Sequence, residues 1–162
     1  MNFIPPPCPP GSLVIPVCWH VIAKDTSREG GSVTDLEIQR SLDVLNSDYA
    51  NTGVSFVHQC TTRHLSAYWF DNAGIGDPAQ DDMKSALRTG DALTLNVYTV
   101  GFTKQNGLLG YATFPCSYTS NPKDDGVVIL HSTVPGGTSE PFNLGRVRLL
   151  TLCKLFLFTD KS

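Results

Sequence analysis

LVIPVCWHVIA, Leu13 to Ala23, is a dense apolar run rich in Val and Ile. Such a run fits a strand buried on both faces better than one with a face in water. Pro16 has no N–H to give and puts the beginning of the strand near an edge. A strand covered on both sides belongs to a layered α/β domain, so its neighbours must supply both sheet partners and covering helices.

The sequence after it supplies them in order. Thr34 and Glu37 have capping-box spacing, and Ile38, Leu42, Leu45 and Tyr49 then form one apolar stripe, which predicts a helix ending before Gly53. VSFV, Val54 to Val57, reads as a second strand, and Thr62 to Phe70 as a third extended segment of imperfect alternation. Asp77, Pro78 and Gln80 open a second helix, with Met83 and Leu87 four apart on it and Gly90 past its end. LTLNVYTVGF (Leu93 to Phe102), LLGYATF (Leu108 to Phe114) and VVIL (Val127 to Leu130) are three further strands, with a loop of turn formers from Ser117 to Gly126. The expected fold is α/β (α+β): a twisted mixed sheet with two helices, and no internal repeat.

Composition limits the function classes. A 41% hydrophobic content supports a core, and a net charge of -3 gives no basic footprint for nucleic acid. No apolar stretch is long enough for a transmembrane helix, and the Pro-rich start at residues 1–12 carries no readable secretory signal. Cys8, Cys18, Cys60, Cys116 and Cys153 show no metal-binding spacing; they read as small hydrophobes or one or two disulfides of undetermined pairing.

Motifs of chemistry are sparse. His20, His58, His64 and His131 include no pair four apart, so no helix-borne metal site is spelled out, and His20 and His131 read as hydrogen-bonded histidines within strands. Asp81-Asp82 sits in the opening of a helix and Asp124-Asp125 in a turn before Gly126. Both pairs read as structural, with calcium as the lesser alternative for either. There is no nucleophile elbow and no phosphate loop.

The runs VIPVCWHVIAKDTSREGGSVTDLEIQRSLDVLNSDYANTGVSF, TLNVYTVGF, LLGYATFP, SNPKDDGVVIL and PGG followed by NLG resemble, in that order, the opening of the fungal secreted metalloproteases of the pappalysin family, from about Val14 to Arg146. The resemblance implies a metzincin fold, in which a twisted mixed sheet with two helices is followed by the active-site helix. It also implies zinc held by the three histidines of H-E-x-x-H-x-x-G-x-x-H, with the glutamate as general base. Secretion and protein or peptide substrates follow from the same resemblance; nucleic acid and membrane partners do not, and the oligomeric state is unknown. An edge strand lining the cleft would hold the substrate backbone in extended form, which makes Gly110, Tyr111 and Ala112 the candidate substrate-binding residues.

The zinc motif does not occur in these residues. The expectation is therefore three segments: a Pro-rich irregular arm at 1–12, a partial metzincin-like protease domain at 13–146 without the active-site helix, and an aberrant apolar tail at 147–162. The codons available for Val147-Arg148 can begin like an intron donor site, so the tail reads as unspliced intron, a short isoform or a decayed gene. No catalytic residue, metal ligand or bound zinc is expected in this chain, and the competing reading is a non-catalytic extracellular peptide- or protein-binding domain.

Overall fold

The computed structural model describes residues 13–105, 107–113 and 117–145. The arm at 1–12 and the tail at 147–162 lie outside the described residues. The chain forms β1 (Leu13–Ala23), α1 (Asp35–Asp48), β2 (Val54–Leu65), α2 (Ala67–Asn72), α3 (Pro78–Leu87), β3 (Leu95–Val100), β4 (Gly110–Ala112) and β5 (Val127–Leu130). Five strands make one mixed sheet in the order β2-β1-β3-β5-β4. The pairs β1–β2, β1–β3 and β3–β5 are parallel, and β4 runs antiparallel to β5.

β1 is central, and its apolar run is explained by its position. Val17 to Ala23 are all buried, with β2 on one side and β3 on the other. Pro16 precedes Val17↔Leu95, the first pair with β3, so the missing N–H falls where β1 has only one neighbour.

Helix α1 covers one face. Thr34 and Glu37 close the capping box reciprocally, with Thr34 N–H donating to Glu37 Oε2 at 2.8 Å. Ile38, Leu42, Leu45 and Tyr49 pack in one cluster with Val17, Trp19, Val21, Phe56, Val97, Val127 and Ile129. On the other face, Phe70 and Ala73 from α2 and Met83 from α3 pack with Ile22, Tyr98, Val100 and Val128. Each large side chain so buried contributes roughly 1.5–3 kcal/mol.

One sequence expectation is corrected. The segment Thr62 to Phe70 is not a separate strand. β2 continues unbroken to Leu65, and the chain then turns into α2, so among the described residues three α-helices rather than two pack on the sheet. Ser66 Oγ accepts from Trp69 N–H and starts this six-residue helix, whose Phe70 is buried against the sheet.

Cys18 and Cys60 face each other across β1 and β2 as a disulfide, immediately after a register shift that leaves Gln59 as the extra residue of β2. The bridge spans 42 residues of sequence and ties the middle of β1 to the middle of β2. A loop of that length corresponds to about 4 kcal/mol of unfolded-chain entropy. The double variant Cys18→Ala/Cys60→Ala is therefore expected to lose about 2–4 kcal/mol in urea unfolding. An unchanged midpoint would show that the bridge does not constrain the unfolded chain.

Candidate functional site

A sheet has two edges, and here they are treated differently. At the β2 edge, Asn46 of α1 reaches across: its Nδ2 donates to Phe56 O at 2.9 Å and its Oδ1 accepts from Phe56 N–H at 2.7 Å. The Gln59 bulge distorts the same edge further along. Such stitching and bulging block strand addition.

The β4 edge carries Gly110, Tyr111 and Ala112. Leu130 N–H donates to Leu109 O, and Thr113 N–H donates to Gly126 O. With Tyr111 opposite Val128, the antiparallel alternation directs the backbone of residues 109, 111 and 113 toward β5. Gly110 and Ala112 therefore turn their N–H and C=O groups away from the sheet. Neither side chain obstructs that edge. At Gly110 a Cβ would lie 2.9 Å from Val128 O and 3.2 Å from Ile129 Cγ2, so the close approach to β5 requires glycine.

Tyr111 holds the strand from inside. Its hydroxyl donates to Ala73 O at 2.9 Å, its ring lies 5.9 Å from that of Phe102, and the Lys84 ammonium sits 5.3 Å from the ring centre. Burial pushes the phenol well above its ordinary range, so it stays a donor.

Lys84 belongs to a polar row that the sequence reading missed. Gln80, Lys84 and Arg88 recur at steps of four along α3 and its C-cap, hence on one face. That face meets the two adjacent carboxylates. Lys84 Nζ, fully buried, donates to Asp124 Oδ1 at 2.8 Å and to Asp124 O at 2.7 Å, and Gln80 Nε2 adds a bond to Asp124 Oδ1 at 2.8 Å. Arg88 lies 3.6 Å from Asp125, which also accepts from Thr113 Oγ1 at 3.4 Å. Burial lowers the Lys84 pKa, opposed by Asp124, and burial raises that of Asp125, opposed by Arg88. The Asp124-Asp125 turn is thus an anchor between α3 and the β4–β5 hairpin, with both carboxylates bonded to protein donors. The available signal was the four-residue spacing of the helical row, but nothing local ties it to carboxylates some forty residues away.

Two of the histidines, His20 and His64, meet at one hydroxyl, that of Thr62, and His58 and His131 have other partners. His20, fully buried, joins three strands: its Nε2 meets Asn96 Oδ1 at 2.9 Å and its Nδ1 meets Thr62 Oγ1 at 2.8 Å, while the ring stacks on Tyr98. Asn96 Oδ1 also accepts from Thr89 N–H, so the network assigns the His20 proton to Nε2. His131 lies just past β5, in the short turn His131–Thr133, rather than in the strand. Its Nδ1 is 3.4 Å from Arg28 Nη1. His58 and His64 bond to Thr61 and Thr62. Among the described residues, no three His, Cys, Asp or Glu side chains form a group able to hold a metal ion.

With this geometry in view, comparison with known proteins is informative. No family model matches the chain. It is 40% identical over 136 residues to an extracellular metalloprotease of Pyricularia oryzae, covering 83% of this chain and 46% of that protein. An extracellular metalloprotease of Verticillium alfalfae is 34% identical over 141 residues, 85% of this chain and 49% of the relative. The chain is similar to fungal extracellular metalloproteases. It spans about half the length of these curated relatives. Among solved structures, mature mirolysin of Tannerella forsythia in complex with a cleaved peptide superposes with a TM-score of 0.68 at 22% identity, over 89% of this chain and 63% of that one. The mixed α/β sheet accordingly has a fold similar to that of mirolysin over the matched region.

The buried histidines make stability pH-dependent. Burial holds His131 down at a pKa of about 4, and burial also lowers that of His20. Both are neutral in the folded state, whereas in the unfolded chain they take up protons below about pH 6.5. Stability should fall as pH drops from about 6.5 toward 4 and gain no further loss from His131 below that. For His131 the expected decrease between about pH 7 and pH 4.5 is on the order of 2 kcal/mol. His131→Gln should flatten the dependence of the urea midpoint in this window; an unchanged slope would remove His131 as its source.

Proposed function

We propose that this chain is the N-terminal, substrate-aligning part of a secreted zinc metalloendopeptidase of the pappalysin type, and that the outer edge of β4 holds the peptide. The observation that carries this reading is that, among the described residues, the outward N–H and C=O groups of Gly110 and Ala112 have no strand paired to them, whereas the β2 edge is stitched by Asn46. An extended peptide would pair with these two residues as an added strand, with main-chain hydrogen bonds supplying affinity without demanding a particular side chain. The similarity to extracellular metalloproteases and the fold shared with a peptide-bound mirolysin support it. A disulfide between β1 and β2 suits an oxidising, extracellular compartment.

These residues do not fit the zinc that such an enzyme uses. The 162 residues contain no H-E-x-x-H stretch, and the described histidines are engaged by neutral or cationic groups, His20 by Asn96 and Thr62, His64 by the same Thr62 hydroxyl, His58 by Thr61 and His131 by Arg28. No hydrolytic step is derived from them. What their chemistry supports is binding and alignment: the chain holds a peptide without cutting it.

The test is a titration of the full chain with a capped six-residue peptide rich in Thr and Val, followed by amide NMR. The Gly110 and Ala112 amides should shift first. Ala112→Pro removes one outward donor while leaving the β5 pairing intact, since that N–H does not face β5. One hydrogen bond is worth about 0.5–1.5 kcal/mol, so the variant should bind roughly threefold to tenfold more weakly. Equal affinity, or shifts centred on β2, would overturn the reading.

A further inference from the structure

We propose that Lys84 is a positioning residue for the peptide edge: its buried ammonium, bonded to Asp124 and lying over the Tyr111 ring, fixes the setting of β4. This rests on the reading of β4 as the peptide-holding strand.

β4 is only three residues long and has one sheet neighbour, so its own ladder is a weak constraint. What directs it is attached from within. Tyr111 points into the space between the sheet and α3, where its hydroxyl reaches Ala73 and its ring meets Lys84 Nζ. The same ammonium takes both the carbonyl and the carboxylate of Asp124, two residues before Gly126. Gly126 in turn exchanges bonds with Thr113 at the other end of β4: Gly126 N–H donates to Thr113 Oγ1 at 3.0 Å and Thr113 N–H donates to Gly126 O at 3.2 Å. One cation thus touches the middle of β4 through Tyr111 and its C-terminal end through the Asp124–Gly126 turn. Gln80, on the preceding turn of α3, holds the Asp124 carboxylate in line for it.

A purely stabilising role does not account for a lysine here. Taking an ammonium fully out of water carries a large desolvation cost, and apolar residues of similar volume commonly replace buried ion pairs without loss of stability. An apolar side chain could fill the space under Tyr111, but it could not bond two acceptors on Asp124 in fixed directions. Outward pairing of a peptide depends on that directional hold, because an edge backbone that rocks presents Gly110 and Ala112 at variable angles to the incoming strand.

The experiment removes both charges while keeping shape, with Lys84→Met and Asp124→Asn combined in the full chain. The expected result is a urea midpoint close to the wild type together with selective loosening of β4. The Tyr111 amide, bonded to Val128, should exchange roughly tenfold or more faster while Val97 and Val128 keep their protection. Binding of the same capped Thr/Val hexapeptide should weaken by roughly fivefold or more. A merely structural pair would lower protection across the whole sheet in parallel or not at all, and either result overturns the proposal. If the double variant does not fold, Tyr111→Leu decides instead. It leaves the Lys84–Asp124 pair intact but removes the ring, and should speed Leu109 O-bonded Leu130 and Thr113 amide exchange by a similar factor; wild-type exchange in that variant also overturns the proposal. A wild-type chain that binds no hexapeptide would sink the peptide-edge reading, while the exchange measurement would still decide the role of Lys84.

Discussion

Everything in this sheet follows from burying β1 and β3 on both faces. Val17 to Ala23 and Leu95 to Val100 lie in the interior, where a polar group gains by finding a partner within the protein. Backbone groups do so through parallel pairing. Three side chains do so through a small network in which His20 on β1 ties Thr62 on β2 to Asn96 on β3, while the buried Tyr98 hydroxyl has no hydrogen-bond partner among the described residues. A histidine held this way is occupied on both ring nitrogens and is structural. Once the centre is closed, the unsatisfied backbone of the sheet can only be at its margins.

The two margins then diverge. On the β2 side, helix α1 supplies Asn46 to the Phe56 backbone, and the Gln59 bulge and the disulfide lie close by. On the β4 side, the stabilising contacts come from beneath, through Tyr111, Lys84 and the Asp124–Asp125 turn, and among the described residues no strand pairs with the outward groups of Gly110 and Ala112. This asymmetry, more than any titratable cluster, is what the proposed peptide-holding role rests on. It is also economical in sequence: one glycine, one alanine and an inward tyrosine are enough to make an accessible edge.

Much of this was legible in the sequence wherever the signal is local. The bounds of β1 and β5 follow from unbroken apolar runs, and α1 follows from a capping box and a single stripe. β2 was only half legible because its second half, His58 to Leu65, is polar; an edge strand facing solvent need not alternate. Helix α2 was hidden by its brevity, since one turn and a half gives no period to read. The Cys18–Cys60 bridge and the Lys84–Asp124 pair depend on register and topology that join residues about forty apart, and no spacing rule anticipates either. Gly110 to Ala112 were marked as substrate-side only through family resemblance. Their position at an open edge, and the alternation that turns two of the three backbones outward, required the structure.

The most direct measurement is native-state hydrogen exchange, resolved by residue, across Leu109 to Thr113 in the free chain. The account expects an alternating pattern: slow exchange at Tyr111 and Thr113, whose N–H groups face β5, and fast exchange at Gly110 and Ala112, whose N–H groups face outward. Gly110 and Ala112 amides protected as strongly as Tyr111 would show that this edge is already covered, and would contradict the claim that it is open for a peptide.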